Sequence, residues 1–257
     1  MRILFIRHCE PDYQHDSLTQ RGFQEAELLR QYLKDRNLGE IYVSPLGRAQ
    51  KTAQAILRDN DRTAVTLDWL REANVTLDLR DNGAVLKYYP DSLAGKEQQT
   101  EERCYWDIIP RQFWEDPYLM DNVNWRKAEI CRFSNLPELY DQVTTGFDEL
   151  LAGHGYQRQD KHYRVIRGNH DTLTLICHLG VSALLLSHLN NMSPFMIPQF
   201  TCAAPSSLTE VVSEERSRGI AMFRTLTLGA TPHLTLAGQP VSFSARFCEC
   251  YEDDARH

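Results

Sequence analysis

Short apolar runs alternate with amphipathic segments along the first part of the chain. Three of these runs read as strands, at residues 2–6, 41–43 and 64–69. Between the first two strands, apolar residues recur at helical spacing: Phe23, Ala26, Leu29 and Leu33. A second helix-like segment separates the last two strands. This alternation of strands and helices predicts a parallel sheet with helices packed on it.

Capping signals mark where the two helices are expected to begin. Thr19 is a suitable N-cap for the first helix, which we expect to run to about Asp35. Ser44 is placed to cap the second helix, with Pro45 near the first helical position, where the missing N–H of proline costs nothing. The second helix then carries Arg48 in its first turn.

The alternation of strand-like and helix-like segments becomes irregular between about residues 74 and 160. This stretch is rich in aromatic residues, prolines and charges. Within it, residues 136–153 read as a convincing helix. A structureless loop of this length is implausible, so we expect an insertion that packs on the rest of a single domain spanning residues 1–257. Aromatic-rich insertions commonly line ligand clefts. We therefore prefer the interpretation that the insertion is a lid, which covers the carboxyl end of the sheet. The alternative is that it is a peripheral embellishment.

Regular patterning resumes after the insertion. Residues 162–166 and 172–177 read as strands, and residues 181–190 read as a helix. Three more strands are predicted after that helix, at residues 207–212, 220–228 and 241–251.

Composition narrows the class of protein. The chain has 257 residues, 42% hydrophobic and 25% charged, which is ordinary for a soluble globular protein. A net charge of -7 without a long basic run argues against nucleic-acid binding. No apolar segment approaches membrane-spanning length, and the first apolar run is too short for a signal peptide. We expect no membrane partner.

The seven cysteines form an odd set without the spacing of a disulfide scaffold, which favours free thiols in a reducing cytoplasm. Cys248 and Cys250 lack the spacing and the second pair of a zinc site, so we predict no metal there.

Four sequence features carry candidate chemistry, and each follows a predicted strand. Arg7-His8 follows the first strand, Arg48 the second and Glu72 the third, while His178 ends a later strand. If these strands are parallel, their carboxyl ends meet at one edge of the sheet, where open α/β folds bind ligands. A catalytic set assembled from several strand ends is typical of such folds.

The motifs around these residues resemble one known family. Arg7-His8-Cys9-Glu10 resembles the Arg-His-Gly signature of the histidine phosphatase superfamily, also called phosphoglycerate mutase-like. Four later segments are similar to that family in order and spacing: 18–26 (LTQRGFQEA), 44–53 (SPLGRAQKTA), 70–72 (LRE) and 176–180 (ICHLG). The residues after Glu10 are unlike those of phosphoglycerate mutases, so the resemblance is to the phosphatase branch. It implies a three-layer α/β/α sandwich with a mostly parallel central sheet and one antiparallel edge strand.

The resemblance also assigns roles. His8 would attack phosphorus and form a phosphohistidine, while Arg7 and Arg48 neutralise the phosphate oxygens. His178 would donate a further hydrogen bond, best when protonated. Glu72 would protonate the leaving alkoxide and then activate water. The arginines replace a metal electrostatically, so no metal or cofactor is expected.

Two departures from the family pattern bear on the pocket. Cys9 and Leu179 stand where the family has glycine, and both are expected to add bulk beside the phosphate site. A thiol near two arginines also raises the idea of a redox switch. We favour the simpler interpretation, in which Cys9 fills space.

We therefore predict a histidine acid phosphatase-like phosphomonoesterase that acts on a small phosphorylated substrate. Two alternatives stay open: a mutase using the same residues, and a phosphate-binding protein with negligible turnover. Asp68 or Asp78 could replace Glu72 as the acid. The substrate and the oligomeric state are not predicted. Four basic residues of the insertion could contact further anionic groups or could equally be solvated: Lys87, Arg103, Arg111 and Arg126.

Overall fold

A mixed eight-stranded sheet forms the centre of the fold in the computed structural model, which describes residues 1–59, 61–244, 246 and 249–250. The strands are β1 (Arg2–Arg7), β2 (Pro11–Asp12), β3 (Ser17–Leu18), β4 (Glu40–Val43), β5 (Ala64–Thr66), β6 (Asn74–Asp78), β7 (Thr100–Cys104), β8 (Tyr156–Gln159), β9 (His162–Val165), β10 (Thr172–Cys177), β11 (Leu208–Ser217) and β12 (Ile220–Ala230). The α-helices are α1 (Gln20–Leu33), α2 (Gly47–Leu57), α3 (Asn82–Tyr88), α4 (Gln112–Glu115), α5 (Leu136–Gly153), α6 (Leu179–Leu189), α7 (Met196–Phe200) and α8 (Pro232–Leu236). Three 3₁₀ turns lie at Asp68–Leu70, Trp125–Lys127 and Glu129–Arg132.

The strand order in the large sheet is β5-β4-β10-β1-β11-β12-β9-β8. The first four strands are parallel, as predicted. The antiparallel part is larger than the single edge strand expected, because β11, β12, β9 and β8 all pair antiparallel. Two-residue turns join β8 to β9 and β11 to β12, and connections this short permit only antiparallel pairing.

Helices cover both faces of the sheet, which confirms the three-layer α/β/α sandwich. On one face, α1 and α2 bury their apolar sides against β1, β4 and β10. On the other face, α5 and α6 pack together with most of the insertion in a larger apolar core. Every residue of α6 except His188 is buried, which explains why its sequence shows no amphipathic pattern.

The first helix begins as predicted, but the second does not. Thr19 caps α1 by accepting a hydrogen bond from the Gly22 N–H at 2.9 Å. The expectation that Ser44 caps α2 is wrong, since α2 begins at Gly47 and its amide is capped by Asp16 at 2.6 Å. The Ser44 hydroxyl has another partner, described below, and the cap comes from a residue distant in the chain.

The insertion holds more regular structure than its pattern indicates. Strands β6 and β7 form an antiparallel hairpin that the sequence analysis missed, whereas α5 is confirmed with the predicted bounds. Most of the insertion packs in the larger core, and residues 105–110 approach the carboxyl end of the sheet.

Two further differences lie at strand ends. The strand predicted at 64–69 stops at Thr66 and continues as a 3₁₀ turn. The last predicted strand, 241–251, is wrong where the structure describes it, at 241–244, 246 and 249–250, and its other positions lie outside the described residues. Within the described residues, no helix is long and apolar enough to cross a membrane.

Candidate active site

The carboxyl ends of the parallel strands bring all five predicted residues to one edge of the sheet. The Arg7-His8 pair lies at the end of β1, and His178 follows the neighbouring β10. The rings of His8 and His178 are 5.0 Å apart between centroids. Arg48 enters from α2, which follows β4, and Glu72 follows β5 and its 3₁₀ turn.

The backbone around His8 holds its ring in one orientation. The His8 N–H donates to the carbonyl of Cys177 at 2.9 Å, and the His8 carbonyl accepts from Ser206 at 3.0 Å. The ring nitrogen Nδ1 lies 2.8 Å from the Cys9 carbonyl, which can only accept, so Nδ1 carries the proton. In the neutral ring, Nε2 therefore keeps its lone pair.

Burial and charge keep His8 neutral. The side chain is buried, and desolvation together with the positive charge of Arg7, reinforced by Arg48, lowers the pKa of His8 to about 3. A neutral imidazole with a free Nε2 is a competent nucleophile.

The guanidinium groups of Arg7 and Arg48 are only partly satisfied by hydrogen bonds within the protein. Arg7 donates from Nη1 to the Ala203 carbonyl at 2.7 Å, and Arg48 donates from Nη1 to Asp16 at 2.7 Å. Both side chains are buried, and within the described part of the chain the Nε atom of each lacks a hydrogen-bond partner. Burial lowers the pKa of Arg7, but an arginine remains cationic in proteins. A dianionic phosphate would satisfy these donors.

Glu72 lies against the first turn of α6, with one carboxylate oxygen already hydrogen-bonded. Its Oε1 accepts from the Ala73 N–H at 2.9 Å and from the Val181 N–H, in the first turn of α6, at 3.1 Å. Burial raises the pKa of Glu72, against the opposing effect of these N–H groups and of Arg7. The carboxyl group is thereby suited to hold a proton on Oε2.

The two alternatives to Glu72 lie elsewhere. Asp68 is exposed on its 3₁₀ turn, and Asp78 is engaged by the side chain of Arg80 at 2.8 Å on the insertion hairpin. Of the three candidate acids, the structure brings only Glu72 to the histidines.

His178 is buried and paired with Ser44. Its Nε2 lies 2.7 Å from the Ser44 hydroxyl, and its Nδ1 is a buried atom without a partner among the described residues. Burial, with the nearby positive charges, holds the pKa of His178 well below 6.5. Burial and the two neighbouring arginines therefore favour the neutral ring of His178 in the ligand-free site. A neutral ring that carries its proton on Nδ1 can still donate one hydrogen bond.

Sequence reasoning missed three residues of the site. Asp16 pairs with Arg48, and Ser44 pairs with His178. Tyr13 places its exposed ring 5.4 Å from the Arg48 guanidinium carbon. These contacts join segments distant in the chain, and no local signal marks them.

The two departures from the family pattern have different outcomes. Cys9 does not add bulk beside the pocket, because its side chain is fully buried in the core under α1 and α2. Burial, with a further effect of Glu25, raises the pKa of the Cys9 thiol, which removes the basis for a redox switch. Leu179, in contrast, lines a cavity next to the site.

The four basic residues of the insertion do not reach the site. Each pairs with a carboxylate elsewhere: Lys87 with Glu129, Arg103 with Asp91, Arg111 with Glu115 and Arg126 with Asp141. Among the described residues, no group of three or more histidine, cysteine, aspartate or glutamate side chains is placed to hold a metal ion.

Comparison with known proteins shows what this chain is similar to. Residues 3–99 match the model of the histidine phosphatase superfamily (branch 1). A probable 2-carboxy-D-arabinitol-1-phosphatase of Arabidopsis thaliana is 27% identical over 140 residues, which cover 51% of this chain and 27% of that protein. The aligned part is thus about a quarter of the length of that curated relative.

Solved structures share the fold at low identity. The phosphoserine phosphatase of Entamoeba histolytica, solved with 3-phosphoglyceric acid, has a TM-score of 0.54 and 17% identity, covering 91% of this chain and 98% of that chain. A mycobacterial glucosyl-3-phosphoglycerate phosphatase, solved with inorganic phosphate, has a TM-score of 0.55 and 18% identity, covering 90% and 98%. The N-terminal segment that carries the motifs is thus similar to the histidine phosphatase superfamily, and the chain shares its fold with phosphatases of known structure.

Proposed function

We propose that this protein hydrolyses phosphomonoesters through a phosphohistidine formed on His8. The observation that carries the proposal is the setting of the His8 ring, which is buried, fixed through Nδ1 and close enough to two buried arginines for their charge to lower its pKa. A fixed neutral imidazole beside permanent positive charge is what attack on a phosphate dianion requires.

In the first half of the reaction, Nε2 of His8 forms a bond to phosphorus while the bond from phosphorus to the ester oxygen breaks. Arg7 and Arg48 stabilise the charge on the transferring phosphoryl oxygens, and Nδ1 of His178 donates a further hydrogen bond. Glu72 transfers its proton from Oε2 to the departing alkoxide, which leaves as the alcohol.

In the second half, the ionised Glu72 takes a proton from water, and the resulting hydroxide oxygen bonds to phosphorus. The phosphohistidine bond breaks, inorganic phosphate leaves, and His8 and Glu72 return to their starting states. The two guanidinium groups supply the positive charge, so the proposed reaction uses no metal. Acid-shifted activity follows, because Glu72 must be protonated in the first half.

We further infer that residues 74–160 form a wall of the substrate site within a single domain, since Trp106 lies beside the first turn of α6. A reducing cytoplasm suits the buried thiols of Cys9 and Cys177.

The test is hydrolysis of para-nitrophenyl phosphate in excess chelator by the wild type and by His8→Ala. We expect turnover in the wild type and a loss on the order of 1,000-fold or more in the variant. The matched control is His170→Ala, which removes an exposed histidine from the turn before β10 and should change little. Acid-labile, alkali-stable labelling by a phosphate donor should appear in the wild type and be absent from His8→Ala.

Wild-type turnover in His8→Ala would exclude His8 as the nucleophile. Interconversion of phosphoglycerates without release of inorganic phosphate would point to the mutase alternative instead.

A further inference from the structure

A largely apolar cavity of about 480 Å³ lies between the insertion and the C-terminal end of α7. One wall is formed by residues 106–110 and the other by residues 198–202, with Leu179 at the base. Its volume is in the range of small-molecule sites.

The cavity lies next to the candidate active site. Leu179 directly follows His178, and Cys202 directly precedes Ala203, whose carbonyl accepts from Arg7. At Gly180, an added methyl group would lie 1.9 Å from Trp106 and 2.8 Å from Oε1 of Glu72. Trp106 and the proposed general acid therefore meet at the same turn of α6.

The position of Trp106 next to Glu72 indicates which part of a substrate the cavity would contact. With the phosphate between the arginines and histidines, the ester oxygen must approach Glu72 to receive its proton. The alcohol portion of the substrate then extends past Glu72 towards Trp106, into the cavity.

The chemistry of the walls is suited to apolar groups. Trp106, Ile108, Pro110, Leu179 and Phe200 present ring or hydrocarbon surface to the cavity. Such surface favours ligands that bury carbon rather than charge.

The described lining offers a substrate carboxylate few cationic partners. Among the described lining residues, the cation is Arg246, and its Nη2 already donates to Glu249 at 2.8 Å. Asp107 lies in the same lining, and an ionised carboxylate there would repel an acidic substrate. Of the basic residues of the insertion, Arg103 acts electrostatically on Asp107, and its guanidinium is paired with Asp91.

We propose that this cavity is the leaving-group subsite and that it selects phosphomonoesters of large apolar alcohols, aliphatic or aromatic, over compact alcohols that bear a carboxylate. The proposal rests on the proposed function, and it sets this protein apart from the structural relatives named for phosphoserine and glucosyl-3-phosphoglycerate.

Binding of non-hydrolysable phosphonates tests the subsite separately from catalysis. Calorimetry on the wild type would compare methyl-, butyl-, hexyl- and phenylphosphonate with 3-phosphonopropionate. We expect the dissociation constant to fall by up to about fourfold for each buried methylene, and the carboxylate ligand to bind more weakly than butylphosphonate.

Phe200→Ala removes an exposed ring of the cavity wall. It should weaken hexylphosphonate binding by about tenfold and leave methylphosphonate unchanged. The matched control is Phe23→Ala, an exposed phenylalanine on α1 that does not line the cavity, and it should keep the wild-type chain-length dependence.

Equal affinity across the alkyl series, or tighter binding of 3-phosphonopropionate than of butylphosphonate, would overturn the subsite. Release of phosphate from hexyl phosphate is measured in parallel. Chain-length dependence without turnover would refute the phosphatase proposal and keep the subsite, whereas turnover without chain-length dependence would do the reverse.

Discussion

At the scale of single residues, the pKa values of His8 and Glu72, which the proposed mechanism uses together, are shifted in opposite directions. Burial and the neighbouring arginines lower the pKa of His8 to about 3, while burial raises the pKa of Glu72. The opposite shifts allow the proposed nucleophile, His8, to be neutral while the proposed acid, Glu72, keeps its proton. Opposite shifts of this kind allow acid and nucleophilic chemistry in one pocket.

A bell-shaped pH dependence of kcat/KM follows. Activity should fall below about pH 3, as His8 gains a proton and loses its lone pair. It should also fall as the pH rises through the raised pKa of Glu72, because the ionised carboxylate has no proton to give. Initial rates with an alkyl phosphate across this range measure both limbs.

Glu72→Gln should lower kcat/KM, which reports only the first half of the reaction, by about 100- to 10,000-fold for an alkyl phosphate and remove the alkaline limb. The loss should be much smaller for a nitroaryl phosphate, whose leaving group needs no proton. Glu102→Gln, at an exposed glutamate of β7, is the control. Equal losses for both substrates would show that Glu72 is not the general acid.

At the scale of elements, the start of α2 depends on a residue from another part of the chain. Asp16 adopts a left-handed backbone with φ 43°, accepts from the Gly47 N–H at 2.6 Å and pairs with Arg48 at 2.7 Å. Gly47 allows this approach, since an added methyl group there would lie 2.1 Å from the Asp16 carbonyl. One carboxylate thus both caps the helix and orients Arg48, for which we propose phosphate binding.

Asp16→Ala and Asp16→Asn should separate these two effects. Alanine loses the cap and is strained at positive φ, so we expect a loss of about 1–2 kcal/mol in the free energy of unfolding. Asparagine tolerates this backbone and can still cap, so its stability loss should be smaller. Both variants should raise KM, because each leaves Arg48 without its carboxylate partner.

The stability difference between the wild type and Asp16→Asn should also depend on pH. Burial opposes it, but hydrogen bonds from Gly47 and Arg48 lower the pKa of Asp16 below its ordinary 3.8. The contribution of the charge is therefore present above pH 3.8 and is lost as the pH falls through the lower, folded value. Urea unfolding of both proteins at several pH values measures this, and a constant difference down to pH 2 would contradict it.

At the scale of the whole molecule, the parallel half of the sheet carries the candidate site. The antiparallel half extends the sheet on the side away from β4 and β5. Buried arginine donors without partners mean that a bound anion should stabilise the entire fold. Inorganic phosphate at about 100 times its dissociation constant should add about 2.7 kcal/mol to the free energy of unfolding, equivalent to roughly 5–10 °C in Tm.

Differential scanning calorimetry with and without phosphate measures this stabilisation. Arg7→Gln should abolish most of the shift, whereas Arg216→Gln, at an exposed arginine of β11, should retain it. A phosphate-induced shift that persists in Arg7→Gln would mean that the anion binds elsewhere.

Features that depend on neighbouring residues could be predicted from the sequence. The Thr19 cap, the bounds of α5 and the strands β1 and β10 follow from local periodicity and capping chemistry. The meeting of the five site residues was also predictable, because parallel order brings strand ends to one edge.

The identity and order of these motifs, and the sheet edge at which they meet, could therefore be read from the chain. Four features required the folded structure: the Asp16 cap of α2, the pairing of Ser44 with His178, the burial of Cys9 away from the site and the apolar cavity between the insertion and α7. Each of these joins segments far apart in the chain. The pKa shifts of His8, Glu72 and His178 belong to the same class, because desolvation and charge act through space and have no signature in local sequence.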